Sequence, residues 1–432
     1  MQSEKTTRRQ FLKTAAVTAT LLAGDGILQN GNIRLNADET VSQTTTIPQN
    51  VLPRFAVISD THFGGGNGGG VARNAHGLKN LLRQGNLDAI FVVGDLTNNG
   101  QAKQYDQLLS VYKNESVVPQ SQRVVFMMGN HEWYNKEDPV KNYLDKLGQP
   151  KHQYIDLKGY PFITISMSGG GENDYNDEGQ KFLDDKLADA NQKYPNKPIF
   201  VFFHIPPKKT SYGSHSWGNT VLPKYLEKYP QVVVFNGHTH TPVGDQRMIF
   251  QDKYTAINDG SMFYCCVEKN ELSNGITPEG NGDVQEGMIV NVQTGNNFNV
   301  ERWDLRRNVA YQPWNVDWKN KNYKNQNNKT PPKFDSGIKP KVHVSGGGAL
   351  VTYPQAKDDD AVFRYFIEIN DGDKVIASYK QFSQFYLTIQ QPDKLTAEFT
   401  DLPKGKQLTA SVKALDVFNN ESTTIVSENF TI

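Results

Sequence analysis

The sequence predicts a layered α/β domain followed by a smaller all-β sandwich, and three observations predict it. Between Arg54 and about residue 305, short β-branched and aromatic runs alternate with segments of helical period, the pattern of stacked strands and helices. Most of those runs are apolar throughout, as strands covered on both faces must be. From Lys341 to Ile432 the pattern becomes apolar and polar residues in alternation, broken by turn residues and without helical period, which predicts an antiparallel sandwich of about 90 residues.

Taken in order, residues 1–37 stand outside the fold. Thr6-Thr7-Arg8-Arg9-Gln10-Phe11-Leu12-Lys13 precedes a mildly apolar stretch, Ala15 to Gly24, too short to span a bilayer and read here as an export signal. The paired arginines resemble the twin-arginine type, which implies passage of an already folded, cofactor-loaded protein across a bacterial cytoplasmic membrane to the periplasm, cell surface or medium. Residues 38–53, rich in Thr, Gln, Ser and Asn, form an extended lead-in. The α/β domain, 54–305, has expected strands at Phe55–Ile58, Ala89–Val93, Val124–Met127, Phe162–Ile165, Ile199–Phe203, Val232–Phe235 and Met288–Val290. Helices are expected at Val71–Gln84, Gln101–Tyr112 and Glu178–Tyr194. Residues 306–340, dense in Asn, Lys and Pro around Trp314 and Trp318, read as a linker lying against the preceding domain. The sandwich, 341–432, has runs at Phe363–Ile369, Leu395–Phe399 and Leu408–Ala414, and its closing Ala414–Ser422 resembles the last hairpin of fibronectin type III-like modules.

Composition narrows the function classes. Hydrophobic residues make up 37% and aromatic residues 11%, enough for packed cores. Basic and acidic residues number 46 each, and without residues 1–37, which carry five basic and two acidic side chains, the net charge is −3. No basic field advertises a nucleic acid duplex, and no apolar run approaches the roughly 18 residues of a membrane span. The two cysteines, Cys265 and Cys266, are adjacent, so neither a disulfide framework nor a cysteine zinc cluster is available, and core packing is their expected role. Any metal must be held by histidine and oxygen.

Such groups sit where the expected strands end. Asp60-Thr61-His62 follows the first strand, Gly94-Asp95 the second and Gly129-Asn130-His131-Glu132 the third; His204 and then Gly237-His238-Thr239-His240 follow two later ones. Loops beyond the carboxyl ends of strands form the ligand crevice of layered α/β folds, so groups 180 residues apart in sequence can converge. Five of the nine histidines fall in these motifs. Carboxylates, an amide carbonyl and imidazoles suit Mn, Fe or Zn rather than calcium or copper(I), and there are too many of them for one ion. Two ions about 3.5 to 4 Å apart would stabilise both attacking and leaving oxygens at phosphorus. Phosphate-ester hydrolysis is the expected chemistry.

This order of motifs resembles the calcineurin-like metallophosphoesterase superfamily across roughly residues 54–305. The resemblance implies a four-layer α/β/β/α sandwich of two central sheets flanked by helices. It implies one metal on Asp60, His62, Asp95 and His240 and a second on Asp95, Asn130, His204 and His238, with Asp95 bridging. It also implies that His131 faces the substrate to stabilise phosphoryl charge or protonate the leaving oxygen. Gly-Asp-Leu-Thr-Asn-Asn-Gly, from Gly94, is similar to the corresponding stretch of bacterial cyclic-nucleotide phosphodiesterases, so a diester, nucleotide esters included, is the favoured substrate. A phosphomonoesterase with the same site is the alternative, and a non-catalytic cell-surface binding protein the rival from another class.

The remaining expectations concern the rim. Gly64 to Gly70 reads as a flexible lip rather than a phosphate loop, because no Lys-Ser/Thr follows. Asn98, Asn99, Trp133, Tyr134, Lys208, Lys209, Tyr212, His215 and Trp217 are the candidates to stack a base or sugar and neutralise a second phosphate. The sandwich is the candidate for contact with a cell surface, a glycan or the rim of the active site.

Overall fold

The computed structural model describes residues 52–66, 70–135, 137–268, 275–323, 328–389 and 391–432. The expected export signal and most of the lead-in lie outside them, as does the middle of the Gly64 to Gly70 lip. The described residues fall in one compact unit.

The chain runs β1 (Arg54–Ile58), α1 (Val71–Arg83), β2 (Ala89–Val93), α2 (Ala102–Tyr112), β3 (Val124–Met127) and α3 (Pro139–Leu147). A second series follows: β4 (His152–Leu157), β5 (Tyr160–Ile165), α4 (Asp177–Lys193), β6 (Ile199–Phe202), α5 (Ser214–Trp217), α6 (Pro223–Leu226), β7 (Val232–Asn236), β8 (Ile249–Gln251) and β9 (Thr255–Asn258). A short hairpin of β10 (Val267–Glu268) and β11 (Gly275–Ile276) leads to β12 (Glu286–Val292), β13 (Phe298–Asp304) and β14 (Val309–Val316), which return to the first sheet. Its order is β14-β13-β12-β1-β2-β3, and that of the second sheet β4-β5-β6-β7-β9-β8. Strands β1, β2 and β3 are parallel, as are β5, β6, β7 and β9, while β12, β13 and β14 of the first sheet and β4 and β8 of the second pair antiparallel with their neighbours.

The two sheets pack face to face. Phe55 of β1 meets Phe162 and Phe200 of the second sheet at ring distances of 5.0 and 5.1 Å, and Phe91 stacks on Phe202 at 4.1 Å. Successive residues of a strand point to opposite faces. Phe55 and Val57 therefore enter this central core, while Ala56 and Ile58 pack outward against Leu78 and Leu81 of α1 and Leu108 of α2. On the other side Ile163, Val201 and Val234 meet Leu183, Leu187 and Leu226 of α4 and α6. This is the four-layer α/β/β/α arrangement, and it explains why strands such as β2, β6 and β7, covered on both faces, are almost wholly apolar.

The segment 306–340, read from sequence as a linker, contributes β14 to the first sheet at its start. Trp314 and Trp318 are buried in the central core rather than lying over it. Beyond it come β15 (Lys341–Ser345), β16 (Gly348–Pro354), β17 (Val362–Asp371), β18 (Lys374–Phe382), β19 (Lys394–Phe399), β20 (Gln407–Asp416), β21 (Ile425–Val426) and β22 (Phe430–Thr431). They form an all-β region of two sheets, β15-β16-β19 and β18-β17-β20-β21 with β22 also on β20, around Val351, Tyr365, Ile367, Leu408 and Val412. Phe363, Tyr386 and Val417 of this region join the core of the α/β part, and the Arg247 guanidinium stacks 3.6 Å over Tyr212 and 4.8 Å from Phe363. Among the described residues no helix is long and apolar enough to cross a membrane.

Candidate metal centre

Strand pairing continues one step past the strands and sets the site. Asp60 N donates to Gly94 O (3.1 Å) and His62 N to Asp95 O (3.0 Å), which binds the loops after β1 and β2 together; Gly237 N to His204 O (3.1 Å) does the same after β6 and β7. Asp60, His62, Asp95, His238 and His240 all adopt positive φ, between 42° and 70°. A non-glycine residue there is strained, and such strain gathers where the surrounding fold dictates side-chain direction. The glycines of the motifs have a different cause. A Cβ on Gly129 would lie 2.2 Å from Asp95 Oδ1, and one on Gly237 2.1 Å from Ser59 Oγ, so the backbone must approach the acids without a side chain.

The eight residues named from sequence converge at the carboxyl ends of both sheets. His240 Nε2 lies 3.0 Å from Asp60 Oδ1, and His62 Nε2 lies 3.3 Å from His240 Nε2 and 3.8 Å from Asp95 Oδ2. His204 Nε2 is 3.1 Å from Asp95 Oδ2 and 3.8 Å from Asp60 Oδ1. Donor atoms of Asp60, His62 and His240 fall within 4.8 Å of one another, as do those of Asp95, His204 and His238. Asn130 and His131 share a cleft wall with Asp95 and His238. The cleft measures about 290 Å³ and is also lined by Tyr134, Glu172, Trp217, Thr239, His240, Tyr264 and Cys266.

Supporting hydrogen bonds fix which imidazole nitrogen is bare. Nδ1 of His204 donates to Val93 O (2.7 Å), Nδ1 of His240 to Tyr264 O (3.0 Å) and Nδ1 of His131 to Asn98 O (2.8 Å). A carbonyl only accepts, so each Nδ1 carries a proton and each neutral ring presents a lone pair on Nε2. Asn130 gives its amide N–H to Tyr134 Oη (2.6 Å), which turns its carbonyl oxygen inward. Asn130 Oδ1, His238 Nε2, His204 Nε2 and Asp60 Oδ1 are buried without a well-aligned hydrogen bond among the described residues. Buried polar atoms left this way are costly unless a cation meets them.

The charges agree. Burial alone would raise Asp60, but His240 and His204 hold it well below the usual carboxylate range. Burial opposes charge on His204 too, yet Asp95 and Asp60 push its pKa up to about 10, while burial beside His204 pushes His238 down to about 3. Two buried carboxylates therefore demand positive charge from a neighbour. Imidazole, carboxylate and amide oxygen form a donor set that suits Mn, Fe or Zn, so the residues present fit the implied metal.

Three further residues act behind the donors. Glu132, wholly buried, accepts from Thr97 N (2.8 Å), Thr97 Oγ1 (2.9 Å) and Gly129 N (2.7 Å), locking the loops after β2 and β3; burial, with Asp95 nearby, pushes its pKa up to about 7. Ser59 Oγ lies 2.5 Å from Asp60 Oδ2 and 2.6 Å from Asp259 Oδ1. A hydroxyl has one proton to give, so one of the two acids must supply the other. Burial raises Asp259, which donates to Ser59, and Ser59 donates to Asp60. Glu132 stood inside a motif quoted from sequence without a role. Asp259 follows strand β9, a run not among the strands expected from sequence, so no strand-exit signal pointed to it.

Of the rim candidates, Tyr134 and Trp217 line the cleft, while Asn99 lines an adjoining cavity of about 460 Å³ with Gln101, Tyr134, Asn135 and Glu137. Trp133 packs behind the site and Tyr212 between Arg247 and Phe363. Lys208, Lys209 and His215 are exposed and are not among the lining residues. Cys265 is core, as expected; Cys266 touches the cleft, its thiol pushed up to about 12 by burial and hence uncharged.

The profile of the calcineurin-like phosphoesterase family matches residues 53–242, an interval holding all eight convergent residues. Over that interval the chain is similar to calcineurin-like phosphoesterases. Strands β8, β9, β12, β13 and β14 complete the two sheets beyond the matched interval. Among solved structures, purple acid phosphatase from yellow lupin (Lupinus luteus) seeds is similar at 14% identity and a TM-score of 0.44, over 61% of this chain and 53% of that one. The chain thus spans about half of that protein's length. An engineered protein aligns at 9% identity and a TM-score of 0.16, over 77% of this chain and 64% of the other. No curated protein matches the sequence significantly.

Proposed function

We propose that this domain hydrolyses phosphate esters at a dinuclear centre in which Asp60, His62, Asp95 and His240 hold one ion, Asp95, Asn130, His204 and His238 the other, and Asp95 bridges. The observation that carries it is the convergence of bare, buried oxygen and nitrogen atoms on one point beneath an open cleft. When bound, two divalent ions at these residues would supply Lewis acidity toward the phosphoryl oxygens and toward the attacking water. The chain's own residues do the rest. His131, its side chain 30% exposed, has Nδ1 committed to Asn98 O, so Nε2 is the atom that meets the phosphoryl group or carries a proton to the leaving oxygen. Asp95 Oδ1 accepts from His131 N (2.9 Å), which ties the bridging acid to the residue that faces substrate.

Diesters are the preferred substrates in this reading, because the two cavities meet at Tyr134 and give each substituent on phosphorus its own space. The C-terminal region acts as a brace, supported by the core residues it shares with the α/β part. Its division into three and four main strands supports a fibronectin type III-like reading. Export rests on Arg8-Arg9 and the stretch after it alone.

Metal analysis of purified protein, paired with hydrolysis of aryl phosphate mono- and diesters with and without chelator, tests the centre. Two transition-metal ions per chain and chelator-sensitive turnover, faster on the diester, are expected. Metal-free protein that stays inactive after Mn, Fe, Co or Zn is supplied would overturn the reading.

A further inference from the structure

The cleft leading to the candidate centre has a chemical bias that the metal site does not explain. Three aromatic rings rim it, each leaning on a different histidine: Tyr134 on His131 (4.7 Å), Trp217 on His238 (6.3 Å) and Tyr264 on His240 (4.2 Å). Among the described residues the lining contains no lysine or arginine, and Glu172 is the acid there beyond the donors. Glu172 is exposed and makes no salt bridge among the described residues. Its loop is held in place. Tyr134 Oη donates to Gly170 O (3.3 Å), Asp174 accepts from Gly171 N (2.7 Å), and Asn173 Oδ1 accepts from Thr220 N (2.8 Å), tying the loop to the segment that carries Trp217.

A carboxylate at the mouth repels an anionic substituent, so a polyphosphate or second phosphate is disfavoured here. Aromatic faces beside a carboxylate attract an organic cation, most strongly one too bulky and weakly hydrated to be held by water. We propose that the substrates are phosphoesters of a small cationic amino alcohol, with its ammonium group held among Tyr134, Trp217, Tyr264 and Glu172 while the phosphoryl group sits on the centre. This rests on the hydrolase reading above. In the reaction the water oxygen forms the new P–O bond, the bond from phosphorus to the amino-alcohol oxygen breaks, and a proton from the water ends on that oxygen.

The test compares phosphocholine with 3,3-dimethylbutyl phosphate, its carbon isostere without the ammonium charge, on metal-loaded enzyme, with p-nitrophenyl phosphate, whose organic group is uncharged, as a reference. The kcat/KM ratio should favour phosphocholine by roughly tenfold, and Glu172→Gln should bring it to within about threefold. Glycerophosphocholine against phosphatidylcholine vesicles then separates a soluble ester from a lipid headgroup, and turnover of either supports the proposal. Hydrolysis of p-nitrophenyl phosphate with a ratio near one, or with a nucleoside phosphate preferred, overturns the proposal and leaves the hydrolase intact. Failure on every ester removes both. Calorimetric titration with choline probes the same surface without turnover, and absence of heat in wild-type protein would also overturn it.

Discussion

Asp95 contributes to every part of the centre at once: its carboxylate lies between His62, His131 and His204, and its backbone holds the loop after β1. Asp95→Asn should therefore lose metal and activity together, by more than the 10- to 100-fold typical of supporting residues. Retention of both ions at full occupancy would sink its bridging role. His131 contacts no donor set through Nδ1, so His131→Ala should lower turnover roughly 10²- to 10⁴-fold with metal content unchanged. Mass spectrometry of the native protein beside kinetics separates these two residues. The Ser59 relay gives a finer contrast: Ser59→Ala should weaken metal binding roughly 10- to 100-fold, whereas Asp259→Asn, which still offers a donor to Ser59, should cost less. Equal losses would argue against the proton arrangement. Asp60, Asp95 and the five histidines were legible because polar residues at the exits of buried strands have no packing reason to be there. Ser59, Asp259 and Glu172 were not, since each takes its role from a partner distant in sequence.

Among elements, β12 carries a pH dependence. Glu286, 1% exposed, accepts from Val243 N (2.9 Å) and Tyr311 Oη (3.0 Å), and burial pushes its pKa up to about 8. The folded state thus holds a proton that the unfolded chain releases near its ordinary value of 4.5. Below that value both states are protonated and the group costs nothing; between 4.5 and 8 stability falls as pH rises, in total by on the order of a few kcal/mol; above it the loss is complete. Urea midpoints from pH 5 to 8 should decline less steeply for Glu286→Gln than for wild type, and parallel curves would refute this. The seven strands and three helices expected in the α/β part match β1, β2, β3, β5, β6, β7, β12, α1, α2 and α4 to within a few residues, whereas short or half-polar elements such as β4, β8, β9, β13 and α3 were not expected. β14 was missed because Asn, Lys and Pro dominate its neighbourhood; it is an outer strand in which exposed Gln312, Pro313 and Asn315 flank the buried Trp314, and composition alone does not reveal a pairing partner.

For the whole molecule, the joint between the α/β part and the C-terminal sheets decides whether the latter can be removed. Phe363 is 2% exposed and packs with Tyr212, Phe382 and Phe385, and Tyr386 Oη donates to Glu279 O (2.7 Å). Deleting residues 341–432 exposes one side of this shared core, where each large apolar side chain left in water costs about 1.5 to 3 kcal/mol. The truncated chain should aggregate or melt well below the full protein, and Phe363→Ala alone should cost about 3 to 5 kcal/mol in a urea titration. An unchanged melting temperature after truncation would show the region to be an independent appendage. Chelation should likewise lower the melting temperature of the full protein, because Asp60 and Asp95 would stay buried without their counter-charge.

By itself the sequence determined the layered α/β part, the all-β region after it, and the eight polar residues whose spacing placed them at strand ends, because side-chain periodicity and strand exits are local properties of a chain. Tertiary structure decided the remainder: that the two sheets bring their carboxyl ends to one place, that Nδ1 protons go to Val93, Asn98 and Tyr264 carbonyls, and that Lys208 and Lys209 stay off the cleft while Glu172 reaches it. Those outcomes depend on which distant backbone atoms and loops become neighbours, and proximity of that kind is fixed only when the sheets pack.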